Sequence, residues 1–230
     1  LKSSGEMKTK PTQASVKELQ GMGIQPDIIV CRSEYPLDNG IKDKIALFCN
    51  VPSSHVLQNL DVEYLYEAPL AMEEEHLAQV ACECLGLPCP EPNLSDWKAM
   101  CTALKHPKGE VSVALVGKYT QLHDAYISVV ESLKHGGIAN GVSVNIKWVD
   151  SEKVTAENVE EFLGDVSGII VPGGFGDRGI EGMIQSIRYA REKKVPFLGL
   201  CLGMQLTIVE FTRDVVGYND APVSYTHLRA

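Results

Sequence analysis

The sequence lacks any run of about 18 apolar residues, and this absence argues against a membrane-spanning helix. It also lacks a G-x-x-x-x-G-K-[ST] phosphate loop, because Gly117-Lys118 follows a strand-like stretch without the required spacing. Positive charge is scarce as well: 21 Lys and Arg stand against 30 Asp and Glu, a net charge of -9. This balance argues against a nucleic-acid surface, although local clusters of Lys and Arg can still hold phosphates.

A regular cysteine framework is also missing, although the sequence has seven cysteines. An odd count with irregular spacing is typical of the reducing cytoplasm, where we expect this protein. Cys82, Cys84 and Cys89 are close together and suggest a zinc site at first. However, Cys82 and Cys84 lie two residues apart on a helix-like stretch and would point to different sides. We therefore predict no metal site in this chain.

The order of apolar stretches predicts an α/β protein with two parallel-sheet units. Residues 1–88 are typical of the closing part of one α/β domain, and the proline-rich residues 89–110 indicate an interdomain linker. Residues 111–221 alternate strands with helices, which predicts a parallel sheet covered on both faces. Residues 222–230 do not continue this rhythm. Because Leu1 opens in mid-pattern without an initiator Met or signal peptide, we expect an internal piece of a longer protein with a non-matching tail.

Periodicity and turn residues predict the individual elements. The expected strands cover 26–31, 111–116, 142–149, 168–171 and 196–200. The expected helices cover 15–21, 73–85, part of the linker around 97–104, 124–135, 156–163, 180–193 and a stretch from 203, and residues 8–13 are expected to form a polar loop.

The most informative stretch, VPFLGLCLGMQ, runs from Val195 to Gln205. An apolar strand-like run leads into Gly-x-Cys-x-Gly, and a helix-like stretch follows. This pattern lifts a nucleophile onto a sharp strand-to-helix turn, flanked by glycines because no side chain fits there. The helix N-terminus behind Cys201 would favour the reactive thiolate. A buried core cysteine is the alternative, but the two glycines and the apolar lead-in favour a nucleophile.

The segment PGGFGDRG at residues 172–179 contains four glycines in eight residues. A strand that ends in Pro-Gly-Gly can present bare backbone N–H groups to a developing oxyanion. The N–H of Leu202, just after the nucleophile, is the natural partner. A turn-rich loop is the alternative for this segment alone. Together with Cys201, the loop predicts acyl transfer on a carboxamide.

The elbow GLCLGMQ and the loop PGGFG resemble class I glutamine amidotransferase domains. Five stretches also occur in the same order in the CTP synthase family, and the resemblance covers residues 2 to about 221. These stretches are KTKPTQ at 8–13, GMGIQPD at 21–27, ALFCN at 46–50, LVGKY at 115–119 and GGFGDRG at 173–179. The resemblance thus implies the C-terminal part of a P-loop-type amidoligase domain followed by a truncated class I glutaminase domain with a nucleophile elbow.

The resemblance also implies an activity in pyrimidine nucleotide biosynthesis. In this family ATP phosphorylates O4 of UTP, and ammonia then displaces the phosphate to give CTP. The glutaminase domain releases the ammonia from glutamine through a thioester and passes it through a tunnel. Mg²⁺, activation by GTP and assembly into a homotetramer and filaments are implied too. The segment that mainly binds ATP and Mg²⁺ is expected upstream of Leu1.

Residue by residue, the resemblance makes Cys201 the nucleophile and links Arg178 to GTP. Gly174, Leu202, Gly203, Met204 and Gln205 would hold glutamine and stabilise its oxyanion. The UTP and CTP site would use Lys8, Thr9, Lys10, Pro11, Thr12 and Gln13 together with Lys44, and Val62 falls where the family contacts ATP. The ammonium and hydroxyl groups of the 8–13 stretch suit a triphosphate. Without the resemblance, Lys8 and Lys10 are more typical of a solvated surface pair, and Lys44 alone is typical of an ordinary surface position.

Two features depart from the family pattern. A cysteine nucleophile needs a histidine base and an orienting carboxylate, which the family carries far downstream. After Cys201 the only histidine is His227, which has no acid two residues on, and Tyr225 stands where a glutamine-binding Glu is expected. His123 is more typical of a loop than of a substitute base. We therefore predict that the chain is catalytically incomplete in both halves.

Two alternatives stay open at this point. The chain could belong to another amidotransferase, although a plain glutaminase has no use for the cationic stretch at 8–13. It could also be a non-catalytic nucleotide-binding or filament-forming module that keeps the fold without the reaction.

Overall fold

The computed structural model describes residues 7–222, which divide into two compact units between Thr102 and Ala103. The helices are α1 Lys10–Gly21, α2 Asn39–Cys49, α3 Ala68–Glu74, α4 Leu77–Leu85, α5 Ser95–Lys105, α6 Ile127–Asn140, α7 Val159–Leu163, α8 Ile180–Lys193 and α9 Leu202–Phe211. The strands are β1 Ile29–Ser33, β2 Val56–Leu60, β3 Glu110–Gly117, β4 Ser143–Asp150, β5 Gly168–Val171 and β6 Phe197–Gly199. Within residues 7–222, each helix is too short or too polar to cross a lipid bilayer.

The first unit is built on a parallel pair of strands, β1 and β2, with Ile29 opposite Val56 and Ser33 opposite Leu60. Helix α2 lies between them in the chain and buries its apolar face against the pair. It begins because the Asp38 carboxylate accepts the N–H of Ile41 at 2.8 Å, which satisfies one of the free donors of the first turn. The core of this unit consists of Val16, Ile29, Ile45, Ala46, Cys49 and Val56.

Two local predictions for this unit were wrong, and one strand was missed. The polar loop at 8–13 is helical from Lys10 onward, because Pro11 stands in the first turn, where its missing N–H costs nothing. The single helix at 73–85 is instead α3 and α4, separated where His76 takes a positive φ of 59°. Strand β2 was missed because its five residues carry no clear apolar alternation.

The helix predicted around residues 97–104 is present as α5, and its Trp97 and Cys101 dock within the first unit. Helix α5 places its Trp97 indole N–H 2.7 Å from the Tyr66 carbonyl, and the buried Cys101 thiol lies 3.3 Å from the same oxygen. The helix is thus held by hydrogen bonds from its apolar stripe as well as by burial.

The second unit is a four-stranded parallel sheet in the order β4-β3-β5-β6, as the alternation of strands and helices predicted. Both faces are covered. On one face Val116 and Val171 pack with Met183 of α8 and Leu206 of α9, and on the other Leu115 packs with residues of α6. The bounds of β5 and α8 agree with the predicted ones.

This strand order brings three carboxyl ends together. Strands β3, β5 and β6 are neighbours and end at Gly117, Val171 and Gly199. The Leu200 N–H donates to the Val171 carbonyl at 2.9 Å, which fixes the exit of β6 beside that of β5. The segments after these strands therefore meet at one edge of the sheet, where ligands of parallel α/β sheets bind.

Candidate functional site

Cys201 stands between β6 and α9 as the N-cap of the helix, with φ 51° and ψ -103°. A residue other than glycine in this region stores roughly 1–3 kcal/mol of backbone strain. The turn is closed by the Gly203 N–H on the Leu200 carbonyl at 2.9 Å and by the Gln205 N–H on the Cys201 carbonyl at 3.1 Å. The side chain is exposed. The predicted strand-to-helix turn is confirmed, with its cysteine presented to solvent.

The two flanking glycines are required by close backbone approaches. A Cβ on Gly203 would lie 2.1 Å from the Val171 carbonyl oxygen, and one on Gly199 would lie 2.6 Å from the Gly203 carbonyl carbon. Any side chain at either position would push the start of α9 away from the sheet. The G-x-C-x-G spacing therefore reflects the geometry of the turn.

The glycine-rich loop after β5 lies against this turn. A Cβ on Gly173 would be 3.5 Å from Cβ of Cys201, and one on Gly174 would be 3.5 Å from Cδ2 of Leu202. Pro172 is fully buried and anchors the start of the loop. The structure thus brings together the loop and the residue after the cysteine, as an oxyanion site requires. Of the other predicted glutamine contacts, Met204 is exposed and Gln205 is half-buried in the first turn of α9.

Arg178 lies at the far end of the loop. Its Nη2 donates to the Lys118 carbonyl at 3.0 Å, and its Nη1 pairs with Glu152 at 2.9 Å. Its guanidinium carbon is 6.0 Å from the ring centre of Tyr119. About half of its side chain is exposed, so the guanidinium is accessible from solvent at the rim of this edge.

Lys118 is a residue whose importance the sequence did not indicate. It directly follows β3 and is only 4% exposed. Its Nζ donates to the Phe175 carbonyl at 3.3 Å and also to the Gly176 carbonyl. Burial lowers the pKa of this ammonium; the Arg178 charge adds to that effect, and the charges of Asp177 and Glu152 oppose it. The sequence feature that could have indicated this role is the Gly117-Lys118 pair directly after a strand. Its spacing does not fit a phosphate loop, but it places a lysine at the end of a strand, where it can hold a neighbouring loop.

The predicted nucleotide residues belong to the first unit. Met7 Sδ accepts a hydrogen bond from the Ser33 hydroxyl at 3.6 Å, and the Ser33 carbonyl accepts the Asp61 N–H at 3.2 Å. Because Ser33 ends β1, the neighbours Lys8 and Val62 flank the carboxyl end of this strand. This is the end at which parallel sheets bind ligands.

Side chains of the 8–13 stretch differ in their exposure to solvent. Thr9 is buried, and its hydroxyl accepts the Gln13 amide N–H at 2.9 Å, so these two side chains support the start of α1. The exposed members of the predicted set are Lys8, Lys10, Pro11 and Lys44 of α2, while Thr12 and Val62 are half-buried.

Comparisons with known proteins match both units. Residues 1–87 match the family model described as CTP synthase N-terminus, and residues 121–229 match glutamine amidotransferase class-I. The CTP synthase of Ruminiclostridium cellulolyticum is 59% identical over 218 residues, which cover 95% of this chain and 41% of that protein. The CTP synthase of Clostridium acetobutylicum is 57% identical over 221 residues, 96% of this chain and 41% of that protein.

The chain is similar to CTP synthases over nearly all of its own length. It spans 41% of the length of these two relatives. A solved structure, the glutaminase domain of Trypanosoma brucei CTPS with bound acivicin, is 41% identical and covers 48% of this chain and 43% of that chain, with a TM-score of 0.46. This similarity agrees with the resemblance read from the sequence.

The described part of the chain does not place a histidine base beside Cys201. Within residues 7–222 no histidine comes into hydrogen-bond contact with Cys201. His123 begins a short 3-10 helix, where a loop was predicted, and its ring stacks on Trp148 with ring centres 4.1 Å apart. His227, Tyr225 and residues 223–230 of the predicted tail lie outside the described residues. Among residues 7–222 there is also no group of three or more His, Cys, Asp or Glu side chains that could hold a metal ion.

Proposed function

We propose that this chain contributes to a CTP synthase, a ligase that aminates UTP to CTP with ATP and with ammonia released from glutamine. The observation that supports it most strongly is the placement of Cys201 at a strained N-cap directly against the glycines of the 172–179 loop. The same chain carries a cationic stretch at the carboxyl end of β1, which suits a nucleotide triphosphate. A glutaminase half and a nucleotide half in one chain are what such an enzyme requires.

In the glutaminase half, the Cys201 thiolate attacks the carboxamide carbon of glutamine. A C–S bond forms while the carbonyl becomes an oxyanion, which the backbone N–H groups of Gly174 and Leu202 stabilise. Collapse of this intermediate breaks the C–N bond, and the leaving nitrogen takes up a proton to depart as ammonia. Water then adds to the thioester and releases glutamate, which restores the thiolate. Gly203, Met204 and Gln205 are proposed to contact the bound glutamine.

The proton transfers of this sequence need a base, and we assign none to residues 7–222. The described histidines do not contact Cys201, and a cysteine nucleophile is ordinarily served by an adjacent histidine. We therefore propose that the described residues supply the nucleophile and the oxyanion donors but not the base.

In the nucleotide half, we propose that residues 8–13 and Lys44 bind UTP and the product CTP. The exposed ammonium groups of Lys8 and Lys10 would pair with phosphate oxygens. Thr9 and Gln13 would shape the stretch through their mutual hydrogen bond. Val62, two residues after β2, is proposed to contact ATP.

We further propose that the enzyme is activated by GTP and assembles with copies of itself. Arg178, accessible at the rim of the glutaminase edge, is proposed to be linked to GTP activation. The enzyme would work with Mg²⁺ in the cytoplasm as a homotetramer that can form filaments. Residues 7–222 offer no cluster of carboxylates that fits Mg²⁺, so we derive no step through this ion from them.

The test compares two nitrogen sources in the full-length protein that carries this chain. UTP conversion to CTP is measured with glutamine and, separately, with ammonium chloride, for the wild type, for Cys201→Ala and for Cys84→Ser. Cys84 is an exposed cysteine of the first unit and serves as the matched control. We expect Cys201→Ala to lose synthesis from glutamine but to keep synthesis from ammonia, with Cys84→Ser unchanged.

Two results would contradict the proposal. Synthesis from glutamine that survives in Cys201→Ala would remove Cys201 from the reaction. Binding of UTP and CTP by the wild type, without synthesis from either nitrogen source and without glutamine hydrolysis, would favour the non-catalytic nucleotide-binding module instead.

A further inference from the structure

The glycine-rich loop at 172–179 needs an external support. Its four glycines leave the backbone with unusual conformational freedom, yet an oxyanion site works only if its N–H donors are fixed before the reaction. Two of these glycines, Gly176 and Gly179, adopt positive φ values of 79° and 69°. The loop therefore depends on contacts from outside itself.

Lys118 is well placed to supply this support because its own backbone is fixed to the core. The Lys118 N–H donates to the Tyr126 hydroxyl at 3.1 Å, and Tyr126 is only 4% exposed. Gly117 makes room for this contact, since a Cβ there would lie 2.6 Å from the same hydroxyl. The end of β3 is thus tied to a buried ring before the lysine side chain begins.

The side chain of Lys118 then contacts three consecutive loop residues. Its Cδ lies 3.3 Å from the position of a Cβ on Gly174. Its Nζ donates to the carbonyls of Phe175 and Gly176. Because a peptide unit is planar, holding these two carbonyls also fixes the N–H groups of Gly176 and Asp177, which belong to the same units and directly follow Phe175 in the loop.

The loop holds Lys118 in return. Arg178, at the other end of the loop, donates to the Lys118 carbonyl at 3.0 Å. Lys118 therefore donates hydrogen bonds to the loop through its side chain and accepts one from the loop through its backbone carbonyl. This closed arrangement restricts the loop on both sides of Gly176.

We propose that Lys118 is a positioning residue of the glutaminase half: its buried side chain packs beside Gly174 while its ammonium holds the carbonyls of the next two residues, and together these contacts keep the Gly174 backbone beside Cys201. This inference rests on the proposed function, because only an oxyanion site needs the amide to be fixed. It assigns Lys118 no contact with glutamine.

The experiment uses the full-length protein and three variants. Lys118→Met keeps the length of the side chain without its charge, Lys118→Arg keeps a cation, and Lys134→Met on α6 is a control at an exposed ion pair with Glu131. For Lys118→Met, we expect kcat for glutamine hydrolysis to fall roughly 10- to 100-fold with little change in KM. The rate of Cys201 alkylation by iodoacetamide should stay within about twofold, because that reaction needs no oxyanion site.

Lys118→Arg should restore a substantial part of kcat and extend activity to higher pH. Burial lowers the pKa of the Lys118 ammonium, and the charged groups that face it are Asp177, Arg178 and Glu152. The Tyr126 hydroxyl accepts the backbone N–H of Lys118. A guanidinium stays charged across this range. If Lys118 had only a structural role, Lys118→Arg would not shift the alkaline limb of the pH profile of kcat.

Hydrogen exchange of the 172–179 segment separates failure of this inference from failure of the proposed function. The positioning role predicts faster exchange of this segment in Lys118→Met and unchanged exchange in β4. It also predicts that Lys134→Met exchanges like the wild type. This result supports the role even if the wild type hydrolyses no glutamine. Unchanged loop exchange, or unchanged kcat in Lys118→Met, overturns it. A general rise in exchange across the unit in both Lys118 variants would overturn it too, since the residue would then serve the fold as a whole.

Discussion

The Cβ atom that Gly203 lacks would lie 2.1 Å from the carbonyl oxygen of Val171. The two residues belong to α9 and β5, so this approach sets how closely the helix behind Cys201 sits on the sheet. Gly203 is thus needed for the presentation of the cysteine as well as for packing.

Gly203→Ala is therefore expected to destabilise the second unit and to disturb the turn. The new methyl group forces a backbone shift, and overpacking of this kind costs roughly 1–3 kcal/mol. Denaturant unfolding measures the loss, and the rate of Cys201 alkylation reports the turn. Gly136→Ala is the matched control, because a Cβ there has no atom within 4 Å and lies inside α6. The free energy of unfolding of Gly136→Ala should rise by roughly 0.5–1 kcal/mol. An equal loss of stability in both variants would contradict the role given to Gly203.

A second prediction concerns the ion pair between Arg191 of α8 and Glu210 of α9. The guanidinium donates twice to Glu210 Oε1, at 2.7 and 2.9 Å, and the carboxylate is only 1% exposed. Arg191→Met leaves this buried charge unpaired, which costs roughly 3–5 kcal/mol. Urea unfolding of the variant measures the cost.

The control for this pair is Arg188→Met. Arg188 pairs with Glu192 on the surface of the same helix, with both side chains nearly half exposed. Exposed pairs contribute about 0–1 kcal/mol. In the double variant Arg191→Met with Glu210→Leu most of the loss should be recovered, because no buried charge remains. A double variant as unstable as the single one would show that the pair matters through something other than its charges.

A third prediction is a pH dependence in the first unit. Burial alone would raise the pKa of Glu75, but hydrogen bonds from Lys42 and Gln58 outweigh it and hold the pKa below its ordinary value. A carboxyl whose folded-state pKa is lowered stabilises the fold above its unfolded-state pKa, and this stability is lost as the pH falls through the folded-state pKa. Stability of the first unit should therefore decline on the acid side of the ordinary carboxyl pKa.

Glu75→Gln should weaken this acid decline and lower the stability at neutral pH. The expected loss at neutral pH is roughly 1–3 kcal/mol, since a hydrogen-bonded ammonium is left without its anion. Thermal unfolding between pH 3 and pH 7 measures both effects. Glu74→Gln, at the exposed neighbouring position, should keep the wild-type profile. An unchanged acid decline in Glu75→Gln would assign that decline to other carboxyls.

Much of the second unit could be predicted from the sequence because its signals are local. The apolar run of β5 and the helical spacing of α8 are bounded by turn residues, and the glycines around Cys201 specify a turn that only they can form. The start of α1 was misjudged because the polar residues of the 8–13 stretch suggested a loop, whereas Pro11 in a first turn favours a helix. Strand β2 depends on pairing with β1, a contact that its own five residues do not reveal.

The role of Lys118 could not be predicted for a similar reason. Its burial results from the approach of the 172–179 loop, more than fifty residues further along the chain. Spacing rules for phosphate loops test only the neighbours of a lysine in sequence. The carbonyls that surround its ammonium come from another strand end, and only the fold brings them there.

The most direct test of the central claim is the labelling of Cys201 by a chloroketone analogue of glutamine, measured by peptide mass spectrometry in the full-length protein. Cys84 and Cys89 are exposed thiols in the same chain and serve as internal controls. We predict a single adduct on Cys201, suppressed by excess glutamine, with both controls unlabelled. Equal labelling of the three thiols, or an adduct on Cys201 that glutamine does not suppress, would contradict the assignment of Cys201 as the nucleophile of a glutaminase site.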